Sequence, residues 1–382
     1  MNKPLGLYVH IPFCVRKCLY CDFCSYAGQT QSVRERYVKA LSEQMEFYAG
    51  RERPQVDTVF FGGGTPTCLE PNQLALLLEK IRTCFALSGD AEVTFECNPG
   101  TADEKAFATL RRAGFNRVSL GAQSFEAEEL SAIGRIHTAP EIDRAVQGAR
   151  AAGFERISLD LMFGLPGQTK ASFSRTLERA LVLDVGHLSV YALQLEPGTP
   201  LYDRASRYVF PDEDEVADLY ETACRTLGEA GYIHYEISNF ARPGQACRHN
   251  LKYWNCDPYL GLGVSAHSYI GGRRFYFGDG LASFLDGDRP ERTEVELTPA
   301  MEKRDYLMLR LRLDRGVCER EYTERFGEPF PPAFVAAAGR LAASGWVGTD
   351  PTPGARRVFL PEKSFFVSNR ILSELLGDEK TE

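Results

Sequence analysis

Ala113-Gly114-Phe115-Asn116-Arg117-Val118-Ser119-Leu120 recurs downstream as Ala152-Gly153-Phe154-Glu155-Arg156-Ile157-Ser158-Leu159. In each copy Ala-Gly reads as a helix end with its glycine cap, and a strand begins at once. Asp184-Val185-Gly186-His187-Leu188-Ser189-Val190 keeps part of the pattern. A helix that turns straight into a strand is half of a βαβ unit, so its repetition predicts a parallel sheet.

Working outward, the strand candidates are Leu7–Ile11, Thr58–Phe61, Glu92–Cys97, Arg117–Ala122, Arg156–Met162 and His187–Leu193. Between them, Gln73–Cys84, Asp103–Ala113 and Ala139–Ala152 carry apolar residues near helical spacing. About six units fit before residue 200, and a complete (β/α) barrel needs eight. The expected fold class is α/β, a partial (β/α)6-type barrel. Its active site belongs at the C-terminal ends of the strands. Gly62–Thr65, Glu96, Asn98, Gln123, Asp160 and Gln194 fall there. Aligning the two matching units sets Gly121 level with Asp160 and Gln123 level with Met162. Residues two apart share a face, so Gln123 and Asp160 point inward together.

Beyond residue 200 the pattern loosens. A helix (Asp214–Ala230) and a strand (Ile233–Phe240) precede a loop rich in Gly, His and aromatics, Arg242–Gly272. From Pro299, helices around Met301–Leu313 and Pro332–Ser344 precede short strands at Trp346–Thr349 and Arg357–Leu360. The expected division is a barrel over 1–240, a linking region over 241–298 and a smaller winged-helix-like domain over 299–382. Such folds often bind DNA, but the acidic balance and missing basic recognition helix favour a structural or lid role.

The 382-residue chain is 44% hydrophobic and 25% charged, ordinary for a globular protein. Its net charge of −8 argues against non-specific nucleic-acid binding. No run of 18 apolar residues is present to span a membrane. The N-terminus lacks the apolar core and cleavage site of a secretory signal. Eleven cysteines without such a signal point to reduced thiols and a metal site in the cytoplasm.

Three of those cysteines crowd one loop: His10-Ile11-Pro12-Phe13-Cys14-Val15-Arg16-Lys17-Cys18-Leu19-Tyr20-Cys21. A cubane iron–sulfur cluster usually takes four thiolates. With Cys14, Cys18 and Cys21 alone, one iron stays open to a ligand. A zinc knuckle with Cys24 as fourth ligand is the alternative, but four cysteines so close would strain a tetrahedral site. Cys24 reads either as a closing ligand or as a spare.

C-x3-C-x2-C with Tyr20 before its last Cys resembles the signature of the radical S-adenosylmethionine superfamily. Tyr8-Val9-His10-Ile11-Pro12-Phe13-Cys14, Gly62-Gly63-Gly64-Thr65-Pro66-Thr67, Gly164-Leu165-Pro166-Gly167-Gln168-Thr169 and Phe240-Ala241-Arg242-Pro243 narrow it. They resemble the branch that holds oxygen-independent coproporphyrinogen III oxidase and related heme chaperones, over about residues 6 to 375. The resemblance implies a [4Fe–4S] cluster on Cys14, Cys18 and Cys21, with S-adenosylmethionine on the open iron. It implies that Gly63, Gly64 and Thr65 meet the methionine end of that cofactor, and that Tyr8 and Tyr20 flank cluster and nucleoside. It assigns Glu96, Gln123, Arg135 and Asp160 to the cofactor as well. Carboxylates and amides suit ribose hydroxyls, and Arg suits a carboxylate. Each of these residues taken singly is also explained as a barrel-end hydrogen bond or a surface charge.

Within the branch, the oxidase carries a fourth Cys two residues after the third; Phe23 stands there. The oxidase also has a long N-terminal extension, whereas seven residues precede Tyr8. Cys247-Arg248-His249-Asn250-Leu251-Lys252-Tyr253-Trp254 resembles the H-N-x-x-Y-W stretch of the chaperones. The resemblance therefore implies heme as a further cofactor, with His249 as the heme-side residue. Cys247 is its rival, and His267 is explained equally well as a buried, hydrogen-bonded histidine. The expected partners are heme and heme-accepting respiratory proteins at the membrane, with the chain cytoplasmic or peripheral to the membrane. Oxidative decarboxylation of a porphyrinogen is the competing function.

Overall fold

The computed structural model describes residues 3–288, 291–352 and 355–377. Six parallel strands follow the expected order: β1 Leu5–Ile11, β2 Gln55–Gly63, β3 Ala86–Cys97, β4 Arg117–Gln123, β5 Arg156–Phe163 and β6 His187–Ala192. Each pairs with the next in parallel. The intervening helices include α1 Gln31–Ala49, α2 Pro71–Cys84, α3 Glu104–Ala113, α4 Ala139–Ala151 and α5 Lys170–Val182.

The repeated Ala-Gly-Phe segments make the joints. Gly114 caps α3 at φ 106°, a left-handed conformation that side chains disfavour. The Phe115 N–H then donates to the Leu110 carbonyl at 3.1 Å, and Phe154 N–H donates to Ala149 at 3.0 Å. These six-to-one bonds are the Schellman closure. Both phenylalanines are buried, and both pack on Phe95 of β3, with ring centroids 5.3 and 5.7 Å away. The sequence repeat is thus one aromatic cluster beneath the sheet.

Beyond β6 the chain departs from expectation. Ile233–Phe240 is not one strand but a hairpin, β7 Ile233–Glu236 and β8 Asn239–Ala241, and β8 runs antiparallel to β6. Helix α6, Glu213–Glu229, precedes it.

The stretch expected to link the domains, 241–298, is part of the sheet. A short helix, α7 Arg248–Trp254, leads into β9 Tyr259–Leu262, β10 His267–Ile270, β11 Arg273–Phe277 and β12 Glu291–Glu296. β9 pairs in parallel with β1, Gly6 opposite Tyr259, so the parallel run has a seventh member. The twelve-stranded order is β12-β11-β10-β9-β1-β2-β3-β4-β5-β6-β8-β7. Local pattern could not reveal this, because the pairing joins residues about 250 positions apart.

After Pro299 come helices Pro299–Arg310, Glu319–Phe326, Pro332–Ala343 and Ser368–Leu376. A three-stranded sheet sets Arg357–Phe359 between Val317–Cys318 and Gly348–Asp350. No helix among the described residues is long and apolar enough to cross a membrane.

Candidate radical centre at the strand ends

The C-terminal ends of β2–β6, with the loop that follows β1, line a cavity of about 320 Å³. Cys14, Cys18 and Cys21 line one side, Gly63, Gly64 and Thr65 the next, and Glu96, Gln123, Arg135 and Asp160 the floor and far wall. Tyr20 lines it too. A larger open hollow of about 740 Å³ lies elsewhere, by Arg34, Asn72 and Lys105; none of the three loop cysteines reaches it.

The cysteine loop is held by backbone bonds to its surroundings. Thr65 N–H donates to the Phe13 carbonyl at 2.7 Å, and Leu19 N–H to Ile133 at 3.0 Å. The Thr65 hydroxyl lies 3.7 Å from the Cys14 Sγ, and the Arg135 guanidinium 3.3 Å from the Cys18 Sγ. Cys14 and Cys21 are desolvated, which pushes their thiols up, Cys21 to about 11. Metal ligation needs the thiolate form, and the donors aimed at Cys14 and Cys18 favour that charge.

The space beside them fits a ligand. A Cβ on Gly64 would stand 2.7 Å from the Phe13 carbonyl oxygen and 3.1 Å from the Cys14 Sγ. Only a bare backbone lets the strand end come this close to the thiol loop. Arg135 is half-buried, and its covered Nε has no hydrogen-bond partner, while its Nη2 donates to Asn98 Oδ1 at 2.6 Å and to the Gly121 carbonyl. An unpartnered guanidinium nitrogen in a buried site is costly, and an anionic ligand group would satisfy it. Three thiols on one loop, a bare glycine edge and this donor fit a three-thiolate cluster carrying an amino-acid-like ligand.

Two carboxyls face the same space. Burial, with the nearby Asp160 charge, pushes Glu96 up to about 8. Burial raises Asp160 to about 6, against the pull of Ser119 and Ser189 hydrogen bonds; the Ser119 hydroxyl is 2.9 Å away. Glu96 accepts from the Gly63 N–H at 3.2 Å. Gln123 does not pair level with Met162. A bulge after Leu120 sets it opposite Leu161, with φ at 67°. The bulge turns its amide into the cavity, where its Oε1 accepts from Tyr191 at 2.9 Å. Tyr191, Asn98 and Ser119 support the site. Only Asn98 stood out in the sequence, because Ser and Tyr within a strand carry no local mark.

Tyr8 and Cys24 stand just outside. They line a neighbouring recess of about 440 Å³ with Tyr253, Tyr259 and His267, and it shares Asp22, Phe23, Gly63 and Glu96 with the first cavity. Cys24 lies apart from the three loop cysteines, its Sγ 3.8 Å from the Tyr26 hydroxyl. Phe23 is 64% exposed.

His249 is in neither space. It is 1% exposed, with Nδ1 2.9 Å from the Thr58 hydroxyl and Nε2 2.9 Å from the Tyr253 hydroxyl. Its ring stacks on Phe60 at 5.4 Å. Thr58 is four residues before Gly62, roughly 13 Å down a strand. Helix α7 plugs the lower end of the half-barrel. Glu92 fixes it there, accepting from the His249 N–H at 3.1 Å and pairing with Arg156 at 3.2 Å. The expected imidazole on a heme face is, in this conformation, a buried ring with both nitrogens bonded, held by burial to about pH 3. Cys247 is equally buried, its Sγ 3.5 Å from Glu92. His267, by contrast, is not a buried histidine. Its side chain is 56% exposed, stacked on Tyr276, with Nδ1 3.9 Å from Glu294.

A parallel half-barrel whose strand ends meet a three-cysteine loop defines a radical S-adenosylmethionine protein, and residues 8–180 match the Radical SAM superfamily. The chain is 36% identical to the heme chaperone HemW of Bacillus subtilis over 97% of its own length and 99% of the relative's. It is 42% identical to that of Escherichia coli over 70% of each chain. Coproporphyrinogen III oxidase (HemN) from Escherichia coli superposes with a TM-score of 0.85 at 25% identity, covering 98% of this chain and 91% of that one. The chain belongs to the HemW family of heme chaperones.

Proposed function

We propose that this protein binds heme in the 440 Å³ recess beside its radical centre and passes it to respiratory hemoproteins at the membrane. The recess carries the reading: it is walled by Tyr8, Phe23, Tyr253 and Tyr259, and it adjoins the cysteine loop. Aromatic walls suit a flat apolar macrocycle. His267 stands at this wall, and Glu294 beside its Nδ1 would leave Nε2 for iron. His249 reaches the recess through Tyr253, so its part in heme binding is to hold that ring unless the bond between them opens.

Cys14, Cys18 and Cys21 would hold a [4Fe–4S] cluster, and Gly63, Gly64, Thr65, Glu96, Gln123, Arg135 and Asp160 would hold S-adenosylmethionine, with Tyr20 at the cavity edge. Bound together, the two supply one-electron radical chemistry. Glu96 and Asp160, with their raised proton affinities, can donate to or accept from hydroxyls of the ligand, and Arg135 neutralises an anionic end. Phe23 leaves the oxidase's fourth cysteine absent, which favours the chaperone.

The second reading is oxidative decarboxylation of coproporphyrinogen III, favoured by the TM-score of 0.85 to the oxidase. The test is anaerobic reconstitution with iron and sulfide, followed by two assays. Titrated heme should give a saturable absorption shift, and coproporphyrinogen III with S-adenosylmethionine under reducing conditions should give no vinyl product. Failure to bind heme sinks the first reading; vinyl product establishes the second.

A further inference from the structure

Away from both cavities, three unlike donor atoms converge where the C-terminal region meets the sheet edge. Cys224 comes from α6, His234 from β7, and Glu362 from the 3-10 turn Glu362–Ser364. One ligand atom from each lies within 4.8 Å of the other two. His234 Nδ1 is 3.2 Å from Glu362 Oε1 and 3.7 Å from the Cys224 Sγ.

These separations match the edges of a coordination polyhedron. Zinc bonds of about 2.0–2.1 Å to N, 2.0–2.2 Å to O and 2.3 Å to S, at tetrahedral angles, set N and O about 3.4 Å apart and S and N about 3.6 Å apart. The outer arrangement also fits. His234 Nε2 lies 3.2 Å from the Ile237 carbonyl, which can only accept. With the hydrogen on Nε2, Nδ1 presents its lone pair toward Cys224 and Glu362. A metal-bound histidine is oriented in this way by its second nitrogen.

The ring cannot turn aside. It stacks on Phe240 at 4.0 Å and 14°, with Phe365 edge-on at 4.9 Å. Glu362 is 56% exposed and gives an ion its entry path.

We propose that Cys224, His234 and Glu362 bind one zinc ion that clips the C-terminal region to the β7 edge of the sheet, with solvent as the fourth ligand. Neither the cluster cavity nor the recess includes these residues, so this ion is separate from the iron.

The test uses full-length protein carrying its iron–sulfur cluster, dialysed anaerobically against zinc chloride and then freed of loose metal. Iron and zinc are counted in the same sample, and the zinc K-edge absorption is measured. The expected result is one retained zinc per chain at unchanged iron, with one sulfur scatterer at about 2.3 Å. Cys224→Ser should lose the sulfur shell and the retained zinc. Glu362→Gln, at an exposed position that should leave folding intact, should lose retention too. Zinc should raise the melting midpoint of the wild type and of neither variant. Zinc retained equally by all three proteins, zinc without sulfur, or no zinc in the wild type overturns the site. The last outcome leaves a hydrogen bond between His234 and Glu362 as the explanation.

Discussion

The Nε2 of His249 lies 2.9 Å from the Tyr253 hydroxyl, one helical turn along α7. That bond joins two members of the H-N-x-x-Y-W motif to each other, and only Tyr253 faces the recess. The motif therefore shapes the floor of a pocket from below. His249→Ala should leave the Thr58 and Tyr253 hydroxyls unpartnered in the interior, at about 1–3 kcal/mol each. Urea unfolding should show that loss. Heme titration should show a moderate weakening in His249→Ala and loss of the iron-ligand signature in His267→Ala. Loss confined to His249→Ala would return that residue to the iron.

The cysteine loop depends on a residue that is not a cysteine. Gly64→Ala places a methyl against the Phe13 carbonyl and the Cys14 Sγ. The backbone carbonyl cannot yield, so the loop must. Iron per chain after anaerobic reconstitution should drop well below wild type, with the far-ultraviolet circular dichroism unchanged. Full iron loading would show that the loop has slack.

Glu96 makes stability depend on pH in an unusual direction for a carboxyl. Its proton is held to about pH 8 in the fold and to about 4.5 in the unfolded chain. Between those values the folded state binds the extra proton, so stability falls as pH rises from about 4.5 to about 8. Asp160 adds the same sign between about 3.8 and about 6. Each pH unit is worth at most about 1.4 kcal/mol per group. Melting midpoints of the cofactor-free protein across this range should decline, and Glu96→Gln should flatten the decline. A flat wild-type profile would mean that water reaches the carboxyl.

Phe95 receives both repeat phenylalanines. Phe95→Ala should cost about 3–5 kcal/mol in urea unfolding, whereas truncating the exposed Phe47 should change little. Equal effects would mean that the repeat is not joined through that ring.

Six strands and their glycine-capped helices were legible because their determinants are local. A cap, a period of two and a period of 3.6 are each written within a dozen residues. The cysteine loop was legible for the same reason, since its three thiols fall on one short segment. Glu96, Gln123 and Asp160 lay at strand ends that the repeat already located, and the cavity gathers them with Arg135, while Tyr8 and His249 fall outside it. Gln123 came into place by a bulge that no spacing announced.

The sequence alone thus determined a parallel α/β half-barrel with a three-cysteine loop at its mouth. Tertiary structure decided the rest. β9 becomes the seventh parallel strand by pairing with β1 across the whole chain, which closes region 241–298 into the sheet. α7, read locally as a heme-facing motif, is driven into the barrel's open lower end, where Glu92 and Thr58 satisfy its polar groups. His267, read as equally suited to burial, is left at the surface. Burial is a property of what the distant chain covers, and no local pattern records it.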